Sequence, residues 1–132
     1  MDTLHLQDDI NVMGIHVKNF PLGVKEAFDE LYEKYAEDRR MYGLSWMDEN
    51  NQVTYYAMTE QKDAKEATKL GYESLVITKG SYHTTTVDDW MSKTGTIKDV
   101  FGELLDNRKP DRENPCIEWY KSDDQMICMV KI

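Results

Sequence analysis

Apolar residues recur every three or four positions along two stretches of this chain. In Val24–Tyr35, the residues Val24, Ala27, Phe28, Leu31, Tyr32 and Tyr35 fall on one stripe, the spacing of a helix that buries a single face. The stripe returns in Ile97, Val100, Phe101, Leu104 and Leu105, with Thr94 or Thr96 placed to cap the helix. Elsewhere the period shortens to two. Residues 11–18 (NVMGIHVK) predict a strand, and Phe20-Pro21 breaks the chain before the first helix. After each helix a polar loop containing Asp-Arg (Asp38-Arg39, Asp111-Arg112) leads into a hairpin. The first joins 42–46 to 53–58 around DENNQ, the second joins 116–120 to 126–131 around KSDDQ. Between them, 61–70 reads as a surface linker, and 72–78 and 81–87 read as strands joined by a tight turn at Lys79-Gly80.

Sliding the sequence along itself by 73 positions lays VKEAFDEL at 24–31 on IKDVFGEL at 97–104. Eight identities fall within 36 ungapped positions: Lys25, Phe28, Glu30, Leu31, Asp38, Arg39, Trp46 and Gln52 match Lys98, Phe101, Glu103, Leu104, Asp111, Arg112, Trp119 and Gln125. Two copies at a fixed offset predict a duplicated domain and not a solenoid. The expected fold is therefore α+β, with tandem βαββ repeats about a pseudo-two-fold axis and antiparallel sheets. Repeat one covers about 10–60, a linker 61–71 and repeat two 72–132. Two main helices should lie on one side, and a ligand cleft between the halves on the other. Ligands favour such concave junctions.

Composition narrows the chemistry. The 132 residues form one domain, with 40% hydrophobic and 31% charged residues, the values of a globular chain. No apolar run reaches the length of a membrane span, and the opening has no secretory pattern. Net charge is −9 with scattered basic residues, which argues against direct nucleic-acid binding and leaves room for a cationic ligand or a basic protein partner. Cys116 and Cys128 form no metal or redox motif and suit a reducing cytoplasm. His5, His16 and His83 lack ligand spacing, and no phosphate loop or nucleophile elbow is present. No cofactor is expected.

Side chains alternate along a strand. Ile117 and Trp119 share one face with their repeat counterparts Leu44 and Trp46, the face expected under the helices. Glu118 and Tyr120 share the other with Gly43, Ser45 and Met47, where small residues opposite a carboxylate make room for a pocket. Glu118, flanked by Ile117 and Trp119, is costly to desolvate unless it is paired. It is the leading candidate for chemistry or as a charged anchor. Tyr120 adds a ring and a hydroxyl, and Tyr82 is a further proton-transfer candidate. Phe20 and Trp90 precede the two helices and should occupy matching rims of the cleft. Tyr42, Tyr55 and Tyr56 are read as strand packing, Phe28 and Phe101 as core.

The order of the VKEAFDELYEKY helix, the MYGLSW…VTYYAM hairpin, ESLVITKGSYHTTTV, a second helix and CIEWY…MICMVKI resembles the gyrase-inhibitor-like (GyrI-like) effector-binding domain from about residue 11 to residue 132. The most specific pieces are E-x-Y at Glu118 and Tyr120, and I-T-x-G-x-Y at Ile77, Thr78, Gly80 and Tyr82. The resemblance implies a tandem βαββ fold whose central cleft takes lipophilic, often cationic, small molecules in multidrug-responsive regulators of the AraC and MerR types. The family's acidic cleft residue carries over to Glu118. Other relatives act on DNA gyrase or hydrolyse cyclopropanoid toxins. With its first strand expected within a dozen residues of Met1, the chain shows no room for a DNA-binding domain, and a stand-alone binding module becomes the leading expectation. A hydrolase using Glu118 and Tyr120, and a protein-interaction module, are the alternatives.

Overall fold

Two short connections dictate the shape of the sheet. In the computed structural model, which describes residues 2–35 and 39–132, the elements run β1 (Asp2–Leu6), β2 (Ile10–Val17), α1 (Val24–Tyr35), β3 (Met41–Met47), β4 (Val53–Glu60), α2 (Glu66–Leu70), β5 (Glu73–Ile77), β6 (Gly80–Asp88), α3 (Ile97–Leu105), β7 (Cys116–Tyr120) and β8 (Gln125–Lys131). The eight strands form one antiparallel sheet in the order β1-β6-β8-β7-β3-β4-β2-β5. Strands β1 and β2 lie six places apart in that order, as do β5 and β6, yet three and two residues join them. Six strand spacings in a flat sheet would span about 29 Å. A three-residue connection reaches at most about 14 Å. The sheet must therefore curl until its ends approach. At that seam the Lys79 backbone N–H donates to Asp9 Oδ1 (2.7 Å), and Lys131 Nζ donates to Thr78 Oγ1 (2.7 Å).

Curling gives the sheet an inner face that needs no helix to cover it. Val12, Tyr42, Leu44, Trp46, Tyr56, Met58, Ile77, Tyr82, Ile117 and Met129 close on one another there, joined by Leu4 and Leu6 from one end and Leu75 from the other. The helices cover the opposite face. Helix α1 presses Ala27, Phe28 and Leu31 onto Val17, Met41, Tyr55 and Ala57. Helix α3 presses Ile97, Phe101 and Leu104 onto Val87, Cys116, Met126, Cys128 and Val130. This inverts the expectation that Leu44, Trp46, Ile117 and Trp119 lie beneath the helices. The bulky residues fill the curl, and the face bearing Gly43, Glu118 and Tyr120 lies on the helix side. The site is thus on the same side as the helices and not across the sheet from them.

Other departures are local. Strand β1, absent from the sequence expectation, pairs with β6. The strands on either side of Lys79-Gly80 form no hairpin, because β5 pairs with β2 while β6 pairs with β1 and β8. The 61–70 linker contains α2, closed by Gly71 in the left-handed region (φ 75°). Neither threonine caps α3 by its side chain; Thr96 Oγ1 donates instead to the Lys93 carbonyl (2.8 Å). Of the first Asp-Arg pair, Asp38 lies outside the described residues, and Arg39 pairs with Glu66 (2.8 Å). Val24 and Ile97 open the two long helices, Leu44 pairs with Tyr56 as Ile117 pairs with Met129, and Leu44 faces Ile117 where the halves of the sheet meet. Among the described residues no helix is long and apolar enough to cross a membrane.

Candidate functional site

Glu118 lies on β7 beside Gly43 of β3 and Cys128 of β8, where the two helix-covered clusters meet. Its carboxylate is held by two phenols. The Tyr55 hydroxyl donates to Oε1 at 2.7 Å and the Tyr120 hydroxyl to the same oxygen at 2.9 Å, with the two hydroxyls 3.0 Å apart. Gly43 makes this arrangement possible. Tyr55 pairs with Ser45 on β3 and reaches diagonally across Gly43 toward Glu118. A Cβ on Gly43 would collide with the Tyr55 hydroxyl and stand 2.5 Å from Glu118 Oε1.

Both donors choose Oε1, and no other hydrogen bond to the Glu118 carboxylate is formed among the described residues. No buried side-chain oxygen among those residues lacks a partner. Oε2 is therefore not fully buried. Glu118 is closely surrounded by protein, yet part of its surface stays accessible.

Burial pushes the Glu118 carboxyl above its ordinary value, and the Tyr55 and Tyr120 hydroxyls offset part of that rise by bonding to the charged form. Burial, reinforced by the neighbouring carboxylate, drives both phenols well above 10. The same two causes push the Cys116 and Cys128 thiols up to about 12. Both thiols stay protonated at neutral pH and are poor nucleophiles. The chemistry on offer is one carboxyl group whose pKa is raised by burial, with one oxygen held by two fixed hydroxyl donors and the other without a partner among the described residues.

Aromatic rings extend from this triad in both directions. Phe20 stacks on Tyr55 (centroids 4.9 Å, planes 19° apart) and remains 40% exposed. On the other side Trp90 meets Tyr120 edge-on at 5.1 Å, and Phe28 does so at 4.8 Å. Trp90 is oriented by its indole N–H, which donates to the Ser122 carbonyl (3.1 Å). Of the candidates from sequence, Glu118, Tyr120, Gly43, Phe20 and Trp90 come together through these contacts. Ser45 sits beside Tyr55 on the same face. Met47 lies past the end of the β3–β7 pairing, which stops at Ser45 and Cys116. Tyr82 does not join them: it points into the curl, 2% exposed, with its hydroxyl donating to the Thr78 carbonyl (2.6 Å). Tyr55 is the participant that the sequence concealed. Among the described residues no group of three His, Cys, Asp or Glu side chains could hold a metal ion.

No family model matches the chain, and no curated protein matches it. Solved structures do resemble it. An integron cassette protein from the mobile metagenome of Vibrio cholerae superposes with a TM-score of 0.68 at 13% identity, over 98% of this chain and 94% of the other. A candidate bacterial transcription regulation protein from Staphylococcus aureus gives 0.60 at 11% identity, over 99% and 97%. A hydrolase from Listeria innocua gives 0.57 at 14% identity, over 98% and 89%. At these identities the likeness is one of fold: an eight-stranded curled sheet with helices on its outer face, shared along nearly the whole chain.

Proposed function

We propose that this chain is an effector-binding domain of the gyrase-inhibitor-like type that takes a hydrophobic, positively charged small molecule against Glu118. In this reading the domain is a duplication, with β2-α1-β3-β4 and β6-α3-β7-β8 as its copies. The common 73-residue offset of the helices and hairpins supports it, as does a strand order that reads alike from either edge. The likeness to a candidate transcription regulation protein fits an effector-binding role. Two free, buried cysteines fit a cytoplasmic setting.

One observation carries the proposal: Glu118 has one oxygen tied down by two tyrosines and the other without a hydrogen-bond partner among the described residues and not fully buried. A lone buried carboxylate costs free energy in the empty protein. A cation at Oε2 would offset that cost, and Phe20 and Trp90 would supply apolar and cation–π contact. Tetraphenylphosphonium should raise the melting temperature through mass action, and Glu118→Gln should abolish that rise while leaving the fold intact. An equal rise in both proteins rejects Glu118 as the anchor.

A second reading is a hydrolase of strained electrophiles. It is favoured by the elevated carboxyl pKa and by two hydroxyls within proton-transfer distance of Oε1. Ring opening of a reactive cyclopropane substrate by the wild-type protein, lost in Glu118→Gln, would establish it. Binding without turnover would reject it.

A further inference from the structure

A separate cavity of about 560 Å³ opens where α1 faces the β7–β8 turn. Its walls are Tyr32 of α1, Arg39, Arg40 and Glu60 beside the start of β3 and the end of β4, and Trp119, Lys121 and Asp123 at the end of β7 and in the turn after it. The volume falls in the range of small-molecule sites. Three cations (Arg39, Arg40, Lys121) and two carboxylates (Glu60, Asp123) line the cavity.

We infer that this cavity binds an aromatic anion, such as an aryl carboxylate, with Lys121 as the counter-charge. Among the described residues the cations around the cavity divide into two kinds. Arg39 is engaged by Glu66 (2.8 Å), and Arg40 by Glu60, which accepts from Nη2 and lies 3.2 Å from Nε. Lys121 has no carboxylate within 4 Å among the described residues; its neighbour is the Trp119 ring, with Nζ 5.8 Å from the centroid. The Arg40 guanidinium stands at the same distance from that ring. An indole with the Lys121 ammonium beside it offers a flat apolar surface next to a positive charge, which suits a planar ring bearing a negative group. Tyr32, 41% exposed, gives a second ring in the lining. Asp123 is the carboxylate that would disfavour an anion, and it lies near Tyr32, where its charge raises the phenol pKa. The anionic group therefore belongs at the Lys121 end and the ring toward Tyr32. Tyr120 lines this cavity and also bonds Glu118, so the two sites share one wall while taking ligands of opposite sign.

Isothermal titration of the full chain with 1-naphthoate and with uncharged 1-naphthalenemethanol tests the inference. Naphthoate should bind, and more tightly than the alcohol. Lys121→Met should weaken naphthoate by about two- to fivefold, the range for a partly exposed ion pair, and Lys121→Glu should weaken it further. Glu118→Gln should leave naphthoate affinity unchanged. Three results overturn the inference: no binding or equal binding of the two probes, affinity indifferent to both Lys121 variants, or loss of naphthoate in Glu118→Gln. The last would move the anion to the Glu118 site. Because the probe and the variants differ from those that test the cationic site, either proposal can fail alone.

Discussion

Adding one methyl group at Gly43 should dismantle the triad from beneath. The Cβ of Gly43→Ala would overlap the Tyr55 hydroxyl and stand 2.5 Å from Glu118 Oε1, with Tyr55 Cζ at 2.9 Å. Tyr55 and Glu118 must each retreat by about 1 Å to restore ordinary contact. A shift of that size breaks the 2.7 Å bond between them. Overpacking a well-packed site costs about 1–3 kcal/mol. Losing a hydrogen bond to a charged group costs about 1.5–3 kcal/mol. The two overlap, so a loss of about 2–4 kcal/mol is expected in urea denaturation, or roughly 8–16 °C in Tm at about 4 °C per kcal/mol. A double-mutant cycle isolates the cause. Tyr55→Phe removes the oxygen that the methyl group strikes first, so Gly43→Ala should cost at least about 1 kcal/mol less in the Tyr55→Phe background. Additive effects within about 0.5 kcal/mol, or a Gly43→Ala protein as stable as wild type, would refute the claim that Gly43 is glycine to seat this pair.

Three further outcomes follow from the same geometry. Tyr120→Phe removes one of the two donors to Oε1 and should cost about 1–2 kcal/mol in chemical denaturation, while raising the Glu118 titration midpoint. Glu118→Gln should show a distinctive pH dependence. The folded carboxyl titrates above its usual 4.5, so the folded state keeps a proton that the unfolded state releases. Wild-type stability is therefore lost as pH rises from the ordinary carboxyl range through the elevated folded value. Denaturation from pH 4 to 7.5 should find the variant gaining on wild type as pH increases, and a constant difference would contradict this. Tyr82→Phe should cost about 1 kcal/mol through the lost bond to the Thr78 carbonyl, with calorimetric affinity for tetraphenylphosphonium unchanged, because its ring lies inside the curl.

The sequence carried the elements well because their periodicity is local. The stripes of α1 and α3, both long hairpins and β2 fall within a residue or two of where spacing puts them. Sidedness was harder. Leu44, Trp46 and Ile117 are bulky and apolar, and in an ordinary two-layer fold such a face packs beneath helices. A curled sheet buries both faces, so alternation marked two faces without saying which one the helices cover. The same ambiguity hid Tyr55. VTYYAM is aromatic or apolar at neighbouring positions, so nothing local separates Tyr55, which bonds Glu118, from Tyr56, which stacks on Trp46 at 5.5 Å. Strand β1 escaped because DTLHL alternates too weakly to signal a strand without its partner β6. The supposed turn at Lys79-Gly80 joins strands near opposite edges, a closure set by the whole sheet. Glu118 was legible for the opposite reason. A carboxylate between Ile117 and Trp119 on a strand is locally expensive, and that expense shows in one dimension.

The carboxyl carbon of Glu118, followed by carbon-13 NMR through a pH titration with and without tetraphenylphosphonium, tests the central claim most directly. The account predicts a midpoint above that of a free glutamate in the empty protein, falling when the cation binds beside Oε2. A midpoint at the ordinary glutamate value that does not move on adding the cation would contradict it.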